Sequence, residues 1–244
     1  MDLGLRGRRV LVTGASGGLG AAITAGFVAE GALVLAASRT DEHPVPAGVA
    51  GRVLADLAVP GAGDVLADAV RDVLGGLDCL VVAAGGAVSG RVDELPDEAW
   101  DAGLEVNLRS AVRLVRATVP LLKASRGRIV LLSALSASEP RGGHAVSNVG
   151  KAGVAALGKT LSRELAGDGV LVNCVAPGRI RSRQLDRNFP SEEARSQFAS
   201  VHIPLGRFGR AEEIVPVTLL LGSPANTYVT GQTVGVDGGM AWGT

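Results

Sequence analysis

Apolar runs just long enough for a buried strand alternate along this chain with longer stretches of helical character. That rhythm constrains the fold more than any other feature. Residues 8–13 (RRVLVT) read as the first strand and 19–30 as the helix after it, closed by Gly31. Residues 33–37 and 52–55 read as the next two strands, 62–74 as a helix ended by Gly75 and Gly76, and 78–83 as the fourth strand. Residues 96–122 carry one long helix or two, 128–132 a fifth strand, 151–165 a helix with an Ala/Gly-rich face, and 171–175 a sixth strand. A further helix over 212–221 and a seventh strand over 233–236 complete the pattern. The strands are continuously apolar rather than alternating, as parallel strands covered by helices on both faces are. The expected fold is therefore an α/β, Rossmann-type, doubly wound sheet of seven parallel strands.

No linker rich in proline or serine divides the 244 residues, so 1–244 are expected to form a single Rossmann-type domain. Residues 179–209 are polar, rich in arginine and too long for an ordinary loop, and are expected to hold short helices as a lid over a site. Lys plus Arg equals Asp plus Glu at 24 each, which gives no net charge to attract nucleic acid or an anionic membrane. The longest apolar stretches fall well short of the roughly 20 residues of a membrane span. Cys79 and Cys174 both lie in apolar runs without CxxC or zinc spacing, so two reduced, buried thiols, no metal site and a cytoplasmic setting are expected.

The first chemical signal is Thr13-Gly14-Ala15-Ser16-Gly17-Gly18-Leu19-Gly20, which follows strand one and opens the first helix. Glycines there allow a tight turn and close approach of backbone to a pyrophosphate, and the helix N-terminus presents free N–H groups to the anion. Strand two ends at Ser38-Arg39 with no acid until Asp41. An acid at that strand end would hold a ribose 2′-hydroxyl, whereas the fork of donors on Arg39 suits a 2′-phosphate, which favours NADP(H) over NAD(H). Asp56 past strand three is a candidate acceptor for the adenine amino group, and Gly85 and Gly86 past strand four leave room for the cofactor.

These motifs, taken with four more, resemble the short-chain dehydrogenase/reductase family, and within it the 3-oxoacyl-carrier-protein reductases. The resemblance runs over essentially the whole chain. Thr13–Gly20 matches TGxxxGxG, Asp56-Leu57 the adenine-contacting Asp, and Asn107 the active-site Asn. Val172–Gly178 matches VNxVxPG, Pro204–Arg207 with Glu212–Ile214 matches PLGR…PEEI, and Thr230–Gln232 with Val236–Gly239 matches TGQ…VDGG. The resemblance implies nicotinamide cofactor binding and a homotetramer or homodimer. It implies that Pro177 and Gly178 wall the nicotinamide and that Ile180 and Ser182 contact its carboxamide. Ala84 and Gly85 stand where the family has its NNAG segment, with both asparagines lost.

The family's chemistry rests on a Tyr-x-x-x-Lys pair and a Ser thirteen residues before the Tyr. Here Lys151 stands in place, but Ser147 occupies the Tyr position and Ala134 the Ser position. The single tyrosine, Tyr228, belongs to the C-terminal TYVTGQ segment. A serine hydroxyl is a poor proton donor and is shorter than a phenol. His144, seven residues before Lys151, is the candidate substitute, since imidazole exchanges protons near neutral pH; the plainer alternative is a surface loop histidine. Lys151, Asn107, His144 and Ser147 are thus the candidate catalytic set. Ser136 and Ser138 fall on the substrate side, and Arg179, Arg181, Arg183 and Arg187 are a positive run suited either to solvent or to an anionic substrate.

Two functions follow as expectations. One is an NADPH-dependent reductase of a carbonyl, imine or activated alkene, on a small or carrier-bound substrate in a specialised biosynthetic pathway. The other is a degenerate relative acting as partner subunit to an intact paralogue, or as a non-redox cyclase or dehydratase.

Overall fold

The computed structural model describes residues 1–182 and 189–242. Seven strands form one parallel sheet in the order β3-β2-β1-β4-β5-β6-β7. They are β1 Arg9–Thr13, β2 Leu33–Ser38, β3 Gly51–Leu54, β4 Cys79–Val82, β5 Arg128–Leu132, β6 Leu171–Pro177 and β7 Thr233–Val236. The order reverses between β1 and β4, and the register sets Val12 against Ala36 on one side and Val81 on the other. That reversal opens a crevice at the carboxyl ends of the strands, which is where doubly wound sheets take their ligands.

Successive side chains of a strand face opposite sides, so one apolar run supplies two cores. Leu11, Leu35, Leu80, Ile129, Leu131 and Val172 meet α2 (Ala62–Leu74), α4 (Ser110–Ser125) and α5 (Ala145–Glu164). Val10, Val12, Val34, Val81, Val130 and Val175 meet α1 (Gly18–Ala29) and α7 (Val215–Gly222). Each fully buried Leu, Val, Ile or Phe contributes about 1.5–3 kcal/mol. The two helices of the second layer approach closely because Gly26 carries no side chain: a Cβ there would lie 2.3 Å from Val215 Cγ1. Cys174 belongs to the first core and Cys79 to the second; both are free and buried, and burial raises both thiols, Cys174 to about 11.

Two helices depart from the sequence expectation, a third segment settles an open alternative, and each bears on the site. The segment over 96–122 is two helices, α3 (Asp97–Leu104) and α4, joined by a π turn at Glu105–Arg109 that contains Asn107. Helix α5 begins six residues before Lys151, at Ala145, because Gly143, with φ +74°, turns the chain and His144 serves as N-cap. The helix expected over 212–221 is a 3₁₀ turn, Ala211–Ile214, followed by α7 with Pro216 near its start, where a missing N–H costs nothing. In the arginine-rich segment, α6 (Glu192–His202) is capped by Ser191 Oγ, which accepts from Ala194 N at 3.2 Å. A small third core of Ala199, Ile203 and Phe208, with Phe189, Phe198 and Met240 against it, anchors that helix. Arg183 and Arg187 lie outside the described residues. Among the described residues no helix is long and apolar enough to cross a membrane.

At the amino ends of the strands, Arg9 Nε and Nη2 and its backbone N–H all donate to the carboxylate of Asp78 at 2.9 Å, tying β1 to β4. Burial alone pushes that carboxyl up, yet the Arg9 bonds outweigh it and hold it below its ordinary value.

Candidate active site

A cleft of about 560 Å³ runs along the carboxyl ends of the strands from Arg39 to Gly85. Its floor is the turn between β1 and α1. Gly14 has φ +69°, and a Cβ at Gly20 would lie 2.2 Å from Gly14 O, so the turn closes on the helix only with glycine at both positions. A Cβ at Gly17 or Gly18 would meet nothing within 4 Å, so the turn faces open space there. The α1 ladder begins with Ala21 N donating to Gly17 O at 3.1 Å, so the N–H groups of Gly18, Leu19 and Gly20 precede it and are available to an anion. Thr13 Oγ1 accepts from the N–H groups of Ala83 and Ala84 at 3.2 and 3.3 Å, fastening the turn to the end of β4.

At the far end, Ser38, Arg39, Asp56 and Leu57 line the cleft with Ser16, Ala84 and Ser182. Arg39 is exposed. Ser38 Oγ donates to Thr40 O at 3.1 Å and accepts from Arg52 Nε and Nη2 at 3.2 and 3.1 Å. Arg52 also reaches Thr40 O and His43 O at 2.7 and 3.1 Å, so its guanidinium holds the loop after β2 in shape. One Asp56 oxygen accepts from Ala58 N at 3.0 Å.

At the near end, Asn107, Lys151 and Gly85 converge. A Cβ at Gly85 would lie 3.2 Å from both Asn107 Oδ1 and Lys151 Nζ. Asn107 Oδ1 accepts from Gly86 N at 3.1 Å, and its Nδ2 donates to Gly103 O at 3.0 Å. Lys151 Nζ donates to Leu132 O at 2.8 Å, while Ser133 Oγ donates to Lys151 O at 2.9 Å. Burial pulls the Lys151 ammonium down to about 8; the nearby Cys174 works weakly the other way.

Ser147 and Lys151, four residues apart, share one face of α5, and His144 is the N-cap at its start. Ser147 is already engaged: its Oγ accepts from Val88 N at 2.9 Å and lies 3.2 Å from Val88 O, to which it donates. The hydroxyl at the Tyr position therefore staples the loop after β4 to α5. His144 is half-buried, and burial, then the charge of Arg141, lowers its imidazole, so the neutral form dominates at pH 7. Tyr228 is exposed in the loop before β7.

A second cavity, about 300 Å³, is lined by Ala134, Leu135, Ser136, Pro177, Gly178 and Met240 with charged neighbours. Pro177 and Gly178 line this cavity. Gly178 is held tightly, since a Cβ there would lie 2.5 Å from Asp237 Cβ. Ile180 is buried beneath, paired with Gly209 across an isolated bridge. Ser138 Oγ turns back to Leu135 O at 3.1 Å.

Sequence reasoning missed Val106 and Ser110, which line the cleft on either side of Asn107, and Arg52 behind Ser38. Their i,i+4 spacing about the π turn was the available signal for the first two, whereas Arg52 depends on the β2–β3 register. Among the described residues no group of three or more His, Cys, Asp or Glu could hold a metal ion. Open space over Gly17 and Gly18, free N–H groups at the helix start and a gap bounded by Gly85 fit an elongated ligand with a pyrophosphate at its centre.

Residues 14–241 match the family described as Enoyl-(Acyl carrier protein) reductase. The chain is 36% identical over 245 residues to the 3-oxoacyl-[acyl-carrier-protein] reductase of Thermotoga maritima, covering 97% of this chain and 98% of the relative. It is 33% identical over 245 residues to the Escherichia coli protein of that name, covering 98% and 99%. Among solved structures it resembles L-sorbose reductase from Gluconobacter frateurii complexed with NADPH and L-sorbose (TM-score 0.94, 32% identity, 100% of both chains). It also resembles a 3-oxoacyl (acyl-carrier-protein) reductase from Agrobacterium tumefaciens with NADP bound (TM-score 0.92, 31% identity, 98% and 96%).

Proposed function

Since the chain belongs to the short-chain dehydrogenase/reductase family, we propose that it is an NADP(H)-dependent oxidoreductase. Its substrate in this reading is a carbonyl compound, imine or activated alkene of a specialised biosynthetic pathway. One observation carries it: Lys151, Asn107 and Gly85 converge at the mouth of the glycine-floored cleft. A degenerate scaffold has no need to keep a half-buried lysine there.

In this reading the N–H groups of Gly18, Leu19 and Gly20 hold the pyrophosphate, and Ser38 with Arg39 holds the 2′-phosphate. Asp56 and Leu57 meet the adenine, and Ala84 and Gly85 let the cofactor pass. Pro177, Gly178, Ile180 and Ser182 bound the nicotinamide. Bound there, the reduced dinucleotide supplies a hydride equivalent to carbon. This chain supplies the proton to the oxygen or nitrogen. Lys151 is the group suited to it: at about 8, its ammonium is charged at pH 7 yet gives up its proton more readily than an ordinary lysine. His144, neutral at that pH, is suited to accept a proton and to relay it. Asn107 keeps the loop at Gly86 in place. Ser147 acts through Val88, as a positioning residue.

Titration of the purified protein with NADPH and with NADH tests this. Micromolar NADPH binding with NADH much weaker, the preference reversed in Arg39→Glu, is expected. No binding of either up to millimolar overturns the reading. It would favour the second one, a partner subunit or a non-redox cyclase or dehydratase, to which the engaged Ser147 hydroxyl points. Light scattering of the protein alone and mixed with an intact paralogue reads the assembly, a homodimer or homotetramer in the first reading.

A further inference from the structure

Resting on that reading, we propose that the second cavity holds an anionic group of the substrate, a carboxylate or a phosphate, between Arg179 and Arg141. Both line the cavity beside Pro177, Gly178 and Ala134. Arg179 is half-buried, and its Cζ stacks 5.0 Å from the centroid of the Phe198 ring. The ring occupies one face of the guanidinium and leaves its edge donors unspent. Arg179 Nε is buried with no hydrogen-bond partner. A buried donor left unmet costs free energy that an incoming oxyanion returns, with two parallel bonds to the fork. Arg141 stands exposed at the mouth, and its charge is felt at His144.

Arg181 and Arg195 pair with Glu192, and Arg207 and Arg210 with Glu213. Among the described residues, Arg141 and Arg179 have no carboxylate at ion-pair distance. Glu139, the acid of the cavity wall, accepts from the Trp242 N–H. Apart from Ser136, the remaining wall, which includes Ala134, Leu135, Pro177 and Met240, is apolar and suits a short carbon skeleton. With Ala134 in place of a hydroxyl, charge at the far end of the substrate supplies the orientation that a side chain at the reacting oxygen does not.

Calorimetry on the protein saturated with NADP⁺ separates the cases. The probes are 3-oxobutanoate against its methyl ester, and pantetheine 4′-phosphate against pantetheine. In each pair only one member carries the anion (the ester also adds one methyl), and the pair that responds identifies carboxylate or phosphate as the source. In at least one pair the anionic member is expected to bind about tenfold or more tighter. That advantage should fall at least about fivefold in Arg179→Gln, and by a smaller factor in Arg141→Gln, whose exposed site leaves folding intact. Anionic and neutral members binding alike, no binding of any probe below 10 mM, or an unchanged preference in both variants would overturn the proposal. NADPH titration of the same sample keeps the two ideas apart: cofactor bound without anion preference sinks this inference alone.

Discussion

Replacing Lys151 by Met should make the cofactor-free protein more stable at pH 7 and less able to hold cofactor. Burial brings the lysine from its ordinary 10.5 to about 8. That gap corresponds to about 3 kcal/mol by which the folded state disfavours the ammonium relative to the unfolded chain. Because the folded value is the lower one, the penalty is fully present below about pH 8 and fades as pH rises toward 10.5. Met keeps the length and apolar stem and removes the charge, but it also removes the 2.8 Å bond to Leu132 O, worth about 1–2 kcal/mol. The net gain is about 1–2 kcal/mol at pH 7, or about 2–8 °C in Tm for a chain of this size. At pH 10 the penalty has mostly gone while the lost bond remains, so the order should vanish or reverse. NADPH affinity should fall about tenfold or more through loss of a charged donor. Thermal melts of both proteins at pH 7 and 10, with NADPH titration at pH 7, give the answer. A variant less stable than the parent at pH 7, or a stability difference that does not change between pH 7 and 10, would refute the reasoning.

Gly20→Ala puts a methyl 2.2 Å from Gly14 O, a backbone atom that cannot step aside; the expected cost is about 1–3 kcal/mol with NADPH binding largely lost, and a variant that melts and binds as the parent does would contradict the geometry. Ser147→Ala removes both bonds to Val88; urea unfolding should report a loss of about 1–2 kcal/mol, and hydrogen exchange at 86–90 should quicken. Asp78→Asn removes the carboxylate that Arg9 grips, for a loss of about 1.5–3 kcal/mol at pH 7. The Asp78 carboxyl lies below its ordinary value in the fold, so its contribution is complete above about pH 4 and disappears as pH falls through the folded value. The parent–variant difference measured at pH 3 should therefore be smaller than at pH 7, and an equal or larger difference would count against it.

Much of this protein is legible one segment at a time. Val10–Val12 and Ile129–Leu132 are apolar on every residue, as strands covered on both faces are, and Gly14 and Gly20 announce their turn by having no side chain. The expected role of Lys151 also came from its place in a motif. Segment reading could not say where α5 starts, because His144–Gly150 has neither a strong apolar period nor a side-chain cap; the helix there is decided by Gly143 and by packing on α3 and the π turn. Nor could it say what Ser147 does, since its partner Val88 is 59 residues away.

The strand–helix order and the glycine turn can be read from the chain alone, and candidate cofactor residues proposed from it, because these depend on period, glycine and short spacing. Which polar groups are already spent and which are left over is visible only in the folded molecule. Arg52 is consumed by Ser38 and Ser147 by Val88, while Arg179 Nε is buried with no partner and the Lys151 ammonium is stripped of water. Hydrogen bonding and desolvation are properties of neighbours in space, and a linear chain does not state its neighbours.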